Sequence, residues 1–228
     1  MKAVFLGLAA AVLASGAAMA APNTLTPAEK AAGWRLLFDG KSVAGWRGFK
    51  AATPDKGWHV KDGALGPDPK TSKDIISEGE FGDFELSFQW KISPKGNSGV
   101  MYRVIEEGDE TYQSGPEYQI LDNAHGERPL EQAASLYALY APSTDATRPQ
   151  GDWNQGRISV RHGHVEHWLN GVKVVEYELG SPDFKTRVDH SKFRQWPQFA
   201  SAGSGHIALQ NHGNDTWFRN LKIRRLQP

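Results

Sequence analysis

Apolar and polar residues alternate along most of this chain with a period of two. The clearest stretch runs Phe84, Leu86, Phe88, Trp90 and Ile92, interleaved with Glu85, Ser87, Gln89 and Lys91. An extended strand with one buried face gives this pattern, whereas a helix repeats its apolar face every three to four positions. Val100, Tyr102 and Val104 alternate in the same way with Met101 and Arg103. So do Ile158 and Val160 with Ser159 and Arg161, and Ile207 and Leu209 with His206, Ala208 and Gln210.

Turn chemistry separates these strands. Leu169-Asn170-Gly171-Val172 places Asn-Gly between two apolar runs, the favoured type I′ hairpin. Arg161-His162-Gly163-His164 reads as a second tight turn. The final strand, about Thr216 to Leu226, loses its alternation between Phe218 and Leu221, which predicts a bulge. Thr26-Pro27-Ala28-Glu29 reads as an N-cap, a first-turn proline and a first-turn acid, hence one short helical turn. Loops are expected near 50–57, 66–73, 106–115, 123–134, 141–152 and 180–204, several of them long enough to carry function. About a dozen strands with almost no helix predict an all-β fold: a two-sheet antiparallel sandwich of jelly-roll type.

Residues 1–20 read as an export signal. Lys2 supplies the positive start, Val4 to Val12 the apolar stretch, and Ala18-Met19-Ala20 the cleavage motif. The run is too short and too alanine-rich to favour a membrane span. Residues 21–33 then form an N-terminal tail, and 34–228 a single sandwich domain. A periplasmic or secreted protein is expected, with no membrane span after cleavage. Without Lys2 the chain carries 25 Lys+Arg against 26 Asp+Glu, and no basic stripe recommends nucleic acid as a partner. There is no cysteine. A domain of roughly 200 residues fills a core without disulfides. Eight Trp and 24 Gly suit a sugar-binding β protein, in which indoles stack on pyranose rings or simply fill the core.

Candidate chemistry concentrates on Gly115-Pro116-Glu117-Tyr118-Gln119-Ile120-Leu121-Asp122. Glu117 and Gln119 share one strand face, and Tyr118 and Ile120 the other. By the same parity Arg103 and Gln210 are placed on the face of Glu117. One acid beside neutral hydrogen-bonding groups differs from the paired carboxylates of ordinary glycosidases. The bland alternative is a solvated face with an Arg103–Glu117 salt bridge. Gly96-Asn97-Ser98-Gly99 and Gln210-Asn211-His212-Gly213 flank these strands and let backbone and short polar groups approach a ligand. Asn97 is thereby a candidate ligand contact. His212 is a candidate acid or base, or else a turn cap. Asp122 faces away from Glu117 unless the strand ends or bulges at Leu121, and reads as a turn-forming acid bordering a substrate groove. Tyr137 and Trp153 are candidate sugar platforms, with core packing equally in view.

His162, His164 and His167 do not have the spacing of a metal site. The first two flank a turn glycine and the third points away from His164, so a decorated hairpin is expected. No zinc, EF-hand, phosphate-loop or serine-nucleophile motif is present. No metal and no cofactor is called, although loop carbonyls leave a structural calcium open.

Several of these segments resemble one family. Trp34-Arg35-Leu36-Leu37-Phe38-Asp39-Gly40-Lys41-Ser42 with Gly45-Trp46 resembles the opening of the 3-keto-disaccharide hydrolase domain family, formerly a domain of unknown function. Asn97 to Arg103, Gly115 to Asp122, Gly151 to Asn154 with Arg157, Glu166 to Pro182 and His206 to Ile223 are similar to it as well. The resemblance implies a concanavalin A-like sandwich that acts on glycosides whose sugar carries a C3 ketone. It also implies a small carbohydrate substrate, with a sugar 3-dehydrogenase as a candidate upstream partner. Two positions depart from the family pattern. Ala138 stands where many members have Asp after Leu-Tyr, and Asn211 where many have Asp before His-Gly.

A C3 ketone acidifies the C2 proton, so the expected route is deprotonation, β-elimination of the aglycone and addition of water. Glu117 is the expected base, Arg103 or an amide the enolate stabiliser, and His212 the helper at the leaving group or water. Asn97, Gln119 and Gln210 would hold hydroxyls. The alternatives are a non-catalytic carbohydrate-binding module, an endoglycanase with two carboxylates on one strand face, and a lyase or hydratase performing one half-reaction.

Overall fold

The computed structural model describes residues 21–125 and 128–227, so the export signal read at 1–20 lies outside the described residues. Two antiparallel sheets pack face to face, as the alternation predicts. The larger sheet contains β1 (Arg35–Leu36), β3 (His59–Lys61), β4 (Ala64–Gly66), β6 (Phe84–Ile92), β9 (Asn154–Arg161), β10 (His164–Leu169), β11 (Val172–Glu178) and β13 (Thr216–Arg225). Its order is β11-β10-β9-β6-β13-β4-β3, with β1 also pairing β13. The smaller sheet contains β2 (Trp46–Gly48), β5 (Ile75–Phe81), β7 (Asn97–Val104), β8 (Glu117–Leu121) and β12 (Gly205–Leu209), in the order β2-β5-β12-β7-β8.

The core lies between the sheets. Phe84, Leu86, Phe88 and Trp90 of β6 meet Val100, Tyr102, Tyr118 and Ile120 of β7 and β8. A polar link crosses this layer. The Tyr102 hydroxyl lies 3.0 Å from His167 Nε2, and His167 Nδ1 lies 3.0 Å from the Ala134 carbonyl. The carbonyl can only accept, so Nδ1 carries the proton and Nε2 accepts from Tyr102. Burial pushes the His167 imidazole down to about 4, so it stays neutral. His162 and His164 decorate the hairpin outside, as expected.

The turns obey their residues. Asn170 and Gly171 have φ of 50° and 87°, and His162 and Gly163 51° and 89°, the paired positive values of type I′. The bulge in β13 falls between Arg219 and Lys222, with Asn220 at φ 53°. Residues 21–33 are docked rather than loose. The side chain of Asn23 bridges the Asn220 and Gly63 backbones, and Glu29 pairs with Lys222 at 2.9 Å. Thr26 and Glu29 form a reciprocal capping box on α1 (Pro27–Ala31). The long loop at 180–204 holds more helix than its sequence suggested. It contains α2 (Pro182–Asp189), capped by Ser181, and a 3-10 turn at Lys192–Gln195.

Candidate functional site

The outward face of the smaller sheet carries a cavity of about 220 Å³ lined by Asn97, Tyr112, Glu117, Gln119, Tyr137, Lys192, Gln210 and His212. Strand pairing assembles its floor. Asn97 stands opposite Leu121, Gly99 opposite Gln119, and Met101 opposite Glu117, so Asn97 and Gln119 come side by side. Gln119 Nε2 donates to Asn97 Oδ1 at 3.2 Å. The Gln210 backbone N–H donates to the Gly99 carbonyl at 3.0 Å, and Ser98 Oγ donates to the Gln210 carbonyl at 2.8 Å. Gln210 and the following His212 are thereby tied to the end of β7.

Loops build the walls. Residues 133–140 run along the free edge of β8, where the Tyr137 N–H donates to the Glu117 carbonyl and the Gln119 N–H to that of Ser135. That pairing seats Tyr137 beside Glu117. Tyr112 comes from the 3-10 turn Thr111–Gln113, and Lys192 from the turn that follows α2. The Lys192 ammonium lies 4.5 Å from the Tyr137 ring centre and 5.0 Å from that of Tyr112, a cation held between two aromatic faces.

Glu117 is the only carboxylate among the described residues lining this cavity. It is buried, and desolvation pushes its carboxyl up to about 8; the Lys192 charge opposes this rise and Asp74 adds to it. Asp74 sits behind the cavity. Thr111 Oγ1 donates to its Oδ2 and the Asn211 N–H to its Oδ1, so one carboxylate ties the Tyr112 turn to the His212 segment. Burial also raises Asp74, to about 6. The phenol of Tyr137 is raised by burial and by the charges of Glu131 and Glu117, and remains a hydrogen-bond donor at neutral pH. The carboxamide oxygens of Gln119 and Gln210 are buried without a partner among the described residues. Such acceptors are costly unless a ligand supplies the donors. The cavity therefore joins one highly basic carboxylate, a cation and unpaired acceptors suited to hydroxyl groups.

Six sequence candidates meet here: Asn97, Glu117, Gln119, Tyr137, Gln210 and His212. Three do not. Arg103 breaks parity because β7 bulges against β12. The register slips between His206 and Ala208, and Arg103 takes φ 52°. Tyr102 stays in the core while Val104 joins Met101 on the outer face. Arg103 is carried away to Gly82 O at 3.1 Å and Asp83 at 3.2 Å. Asp122 caps the turn after β8, accepting from the Lys95 and Ala124 N–H groups and from His125 Nδ1, and it borders a different cavity. Trp153 lies on the outer face of the larger sheet, with Arg219 at 4.0 Å from its ring.

Neither family departure touches the cavity. Asn211 turns its amide away, donating to the Ser72 carbonyl at 2.8 Å with those of Pro69 and Asp68 near it. Ala138 packs against the core at φ 62°. Lys192 and Tyr112 were missed. Each sits in a long loop without periodicity, and loop length was the only signal. Among the described residues, His164, Glu166 and Glu176 come within reach of one another as metal ligands would. Lys173 already pairs with both acids, at 3.1 and 2.6 Å, so the charge there is met.

Residues 33–224 match the 3-keto-alpha-glucoside-1,2-lyase-like domain family. The chain belongs to that family. It is 35% identical to a 3-keto-disaccharide hydrolase of Bacteroides thetaiotaomicron, over 85% of this chain and 79% of that protein. A candidate glycosyl hydrolase of Parabacteroides distasonis superposes with a TM-score of 0.85 at 34% identity, covering 91% of this chain and all of that one. A second from the same organism gives 0.68 at 27% identity, over 85% of this chain and 99% of that one. Members of this family and the two solved structures thus share the sandwich fold of this chain.

Proposed function

We propose that this protein hydrolyses glycosides of 3-keto sugars, 3-keto-disaccharides among them, by elimination and rehydration. The observation that carries the reading is Glu117, a lone buried carboxyl raised to about 8 in a cavity with a cation and unpaired acceptors. Family membership and the named relative support it.

The C2–H bond beside a ketone is a weak acid, and a stronger carboxylate base removes it faster. Burial raises the Glu117 carboxyl to about 8, so its ionised form is a stronger base than an ordinary glutamate. Glu117 takes the C2 proton, and the electron pair moves to the C3 oxygen as an enolate. Lys192 replaces Arg103 as the cation that stabilises this oxygen. The enolate collapses, the C1–O bond breaks, and the departing oxygen takes a proton at His212. Water then adds to C1 of the resulting enone and gives its proton to His212, restoring it, and Glu117 returns a proton to C2. The net change is addition of one water across the glycosidic bond. Gln119, Gln210 and Asn97 hold hydroxyls, and Tyr137 borders the ring. Export to the periplasm or beyond, and a sugar 3-dehydrogenase that supplies the ketone, complete the proposal.

The test is incubation with a 3-keto-disaccharide in heavy water, followed by NMR. Free 3-keto sugar carrying deuterium at C2, lost in Glu117→Gln, is the expected result. A persistent enone limits the enzyme to the lyase half. No product from any 3-keto-glycoside, with saturable binding of unmodified glycans, leaves a binding module instead.

A further inference from the structure

The opposite side of the sandwich carries a second concave surface that the ketosugar chemistry does not use. It is a cavity of about 300 Å³ lined by Lys61, Asp62, Lys91, Trp153, Trp217 and Arg219, with Ala64 at its base. Strand register builds it. Trp217 pairs with Lys91 and Arg219 with Gln89 across β13 and β6, and their neighbours Phe218 and Trp90 are buried in the core. Lys91, Trp217 and Arg219 therefore face outward together. Glu117, by contrast, projects from the outer face of the smaller sheet.

Three details make this more than a charged strand face. Trp217 occupies room left by Gly66, where an added β-carbon would stand 2.6 Å from the indole Cε3. The indole is thus seated on the sheet, with the His59 ring meeting it edge-on at 5.4 Å. Arg219 is held in place: its Nε donates to Gln89 Oε1 at 2.7 Å and its guanidinium stacks at 4.0 Å on Trp153. Its two terminal amino groups make no hydrogen bond among the described residues, and they form the planar fork that matches a carboxylate. Finally, Lys61, Lys91 and Arg219 form no ion pair among the described residues, although Asp62 lines the same cavity.

We propose that this surface is a second saccharide site, selective for chains bearing uronic acid residues. The carboxylate is held by Arg219 and Lys91, and a pyranose ring lies against Trp217. The volume is at the small end for ligand sites and suits one hexuronate residue with its neighbours extending into solvent. Such a site would anchor the enzyme to an acidic glycan while the Glu117 cavity works on small sugars.

Calorimetric titration of the wild-type chain with trigalacturonate, maltotriose and dextran sulfate tests this. Trigalacturonate is expected to bind at least about tenfold tighter than neutral maltotriose, a difference of about 1.4 kcal/mol. Its affinity falls with added salt, as for exposed charges. Arg219→Gln and Trp217→Ala lose that binding while retaining a cooperative thermal transition. Should either fail to fold, Lys91→Ala and Lys61→Ala carry the same expectation from more peripheral positions. Absence of trigalacturonate binding, equal affinity for maltotriose, binding unchanged in folded variants, or tighter binding of dextran sulfate would each overturn the proposal. These readouts do not depend on turnover, so they stand or fall apart from the ketosugar chemistry.

Discussion

The carboxylate of Glu117 lies across Gly99 on the neighbouring strand, where any β-carbon would stand 2.2 Å from Glu117 Oε1. The glycine is there for space, not for backbone freedom. Gly99→Ala should therefore push the carboxylate off its position while leaving the sheet paired. Turnover of a 3-keto-glycoside is expected to fall about 10²-fold, the scale of a 1 Å misplacement, with KM changing far less. Steady-state kinetics beside a thermal melt checks this; a well-folded, fully active variant would place the working acid elsewhere.

Glu117 also sets a pH dependence of stability. Its carboxyl is raised from 4.5 to about 8 by burial. As pH climbs through that window, the unfolded chain gives up its proton while the folded chain keeps it, so the wild type loses stability. Above about 8 the penalty is constant. Glu117→Gln removes the titrating group, and its advantage in Tm should grow from pH 4.5 to about 8 and then level off. Melting curves of both proteins across this range test the sign.

Lys192 lowers the Glu117 pKa through its charge. Lys192→Met should move the rising limb of the pH profile of kcat/KM to higher pH. Its alkaline plateau should fall as well, because the C3 oxygen loses its cation. A profile with an unshifted limb would separate Lys192 from Glu117.

Arg103 is expected to matter for folding alone. Arg103→Gln breaks the contacts to Gly82 and Asp83, with turnover close to wild type in the folded fraction. A kcat collapse with an unchanged melt would return Arg103 to the reaction.

Asn211→Asp should destabilise by about 1–3 kcal/mol, the cost of unpaired buried polar groups. It exchanges an amide donor facing three carbonyls for an acceptor. It also brings a second carboxylate close to Asp74. Urea unfolding measures the loss, which should shrink at low pH, where a protonated acid can donate again.

The strands were legible because their two faces meet different surroundings. Phe84 to Ile92 and the two Gly-containing hairpins were fully expressed in residue order. The floor of the cavity was legible for the same reason, since Glu117 and Gln119 lie on one regular strand. Arg103 was misplaced because alternation carries no mark of a bulge at an ordinary residue, whereas the β13 bulge showed itself through broken alternation. Trp153 was ambiguous because an indole reads alike on either sheet. Lys192 and Tyr112 were invisible: their positions depend on how separate loops return to the sheet, which no local pattern encodes.

The division of labour between sheet and loops has a practical side. The acid is rooted in paired backbone, while the cation that tunes it rides on a surface turn after α2. Swapping that turn for one of another charge is expected to retune the working pH without rebuilding the scaffold. The protein thus offers a natural starting point for tailoring catalysts to other oxidised sugars.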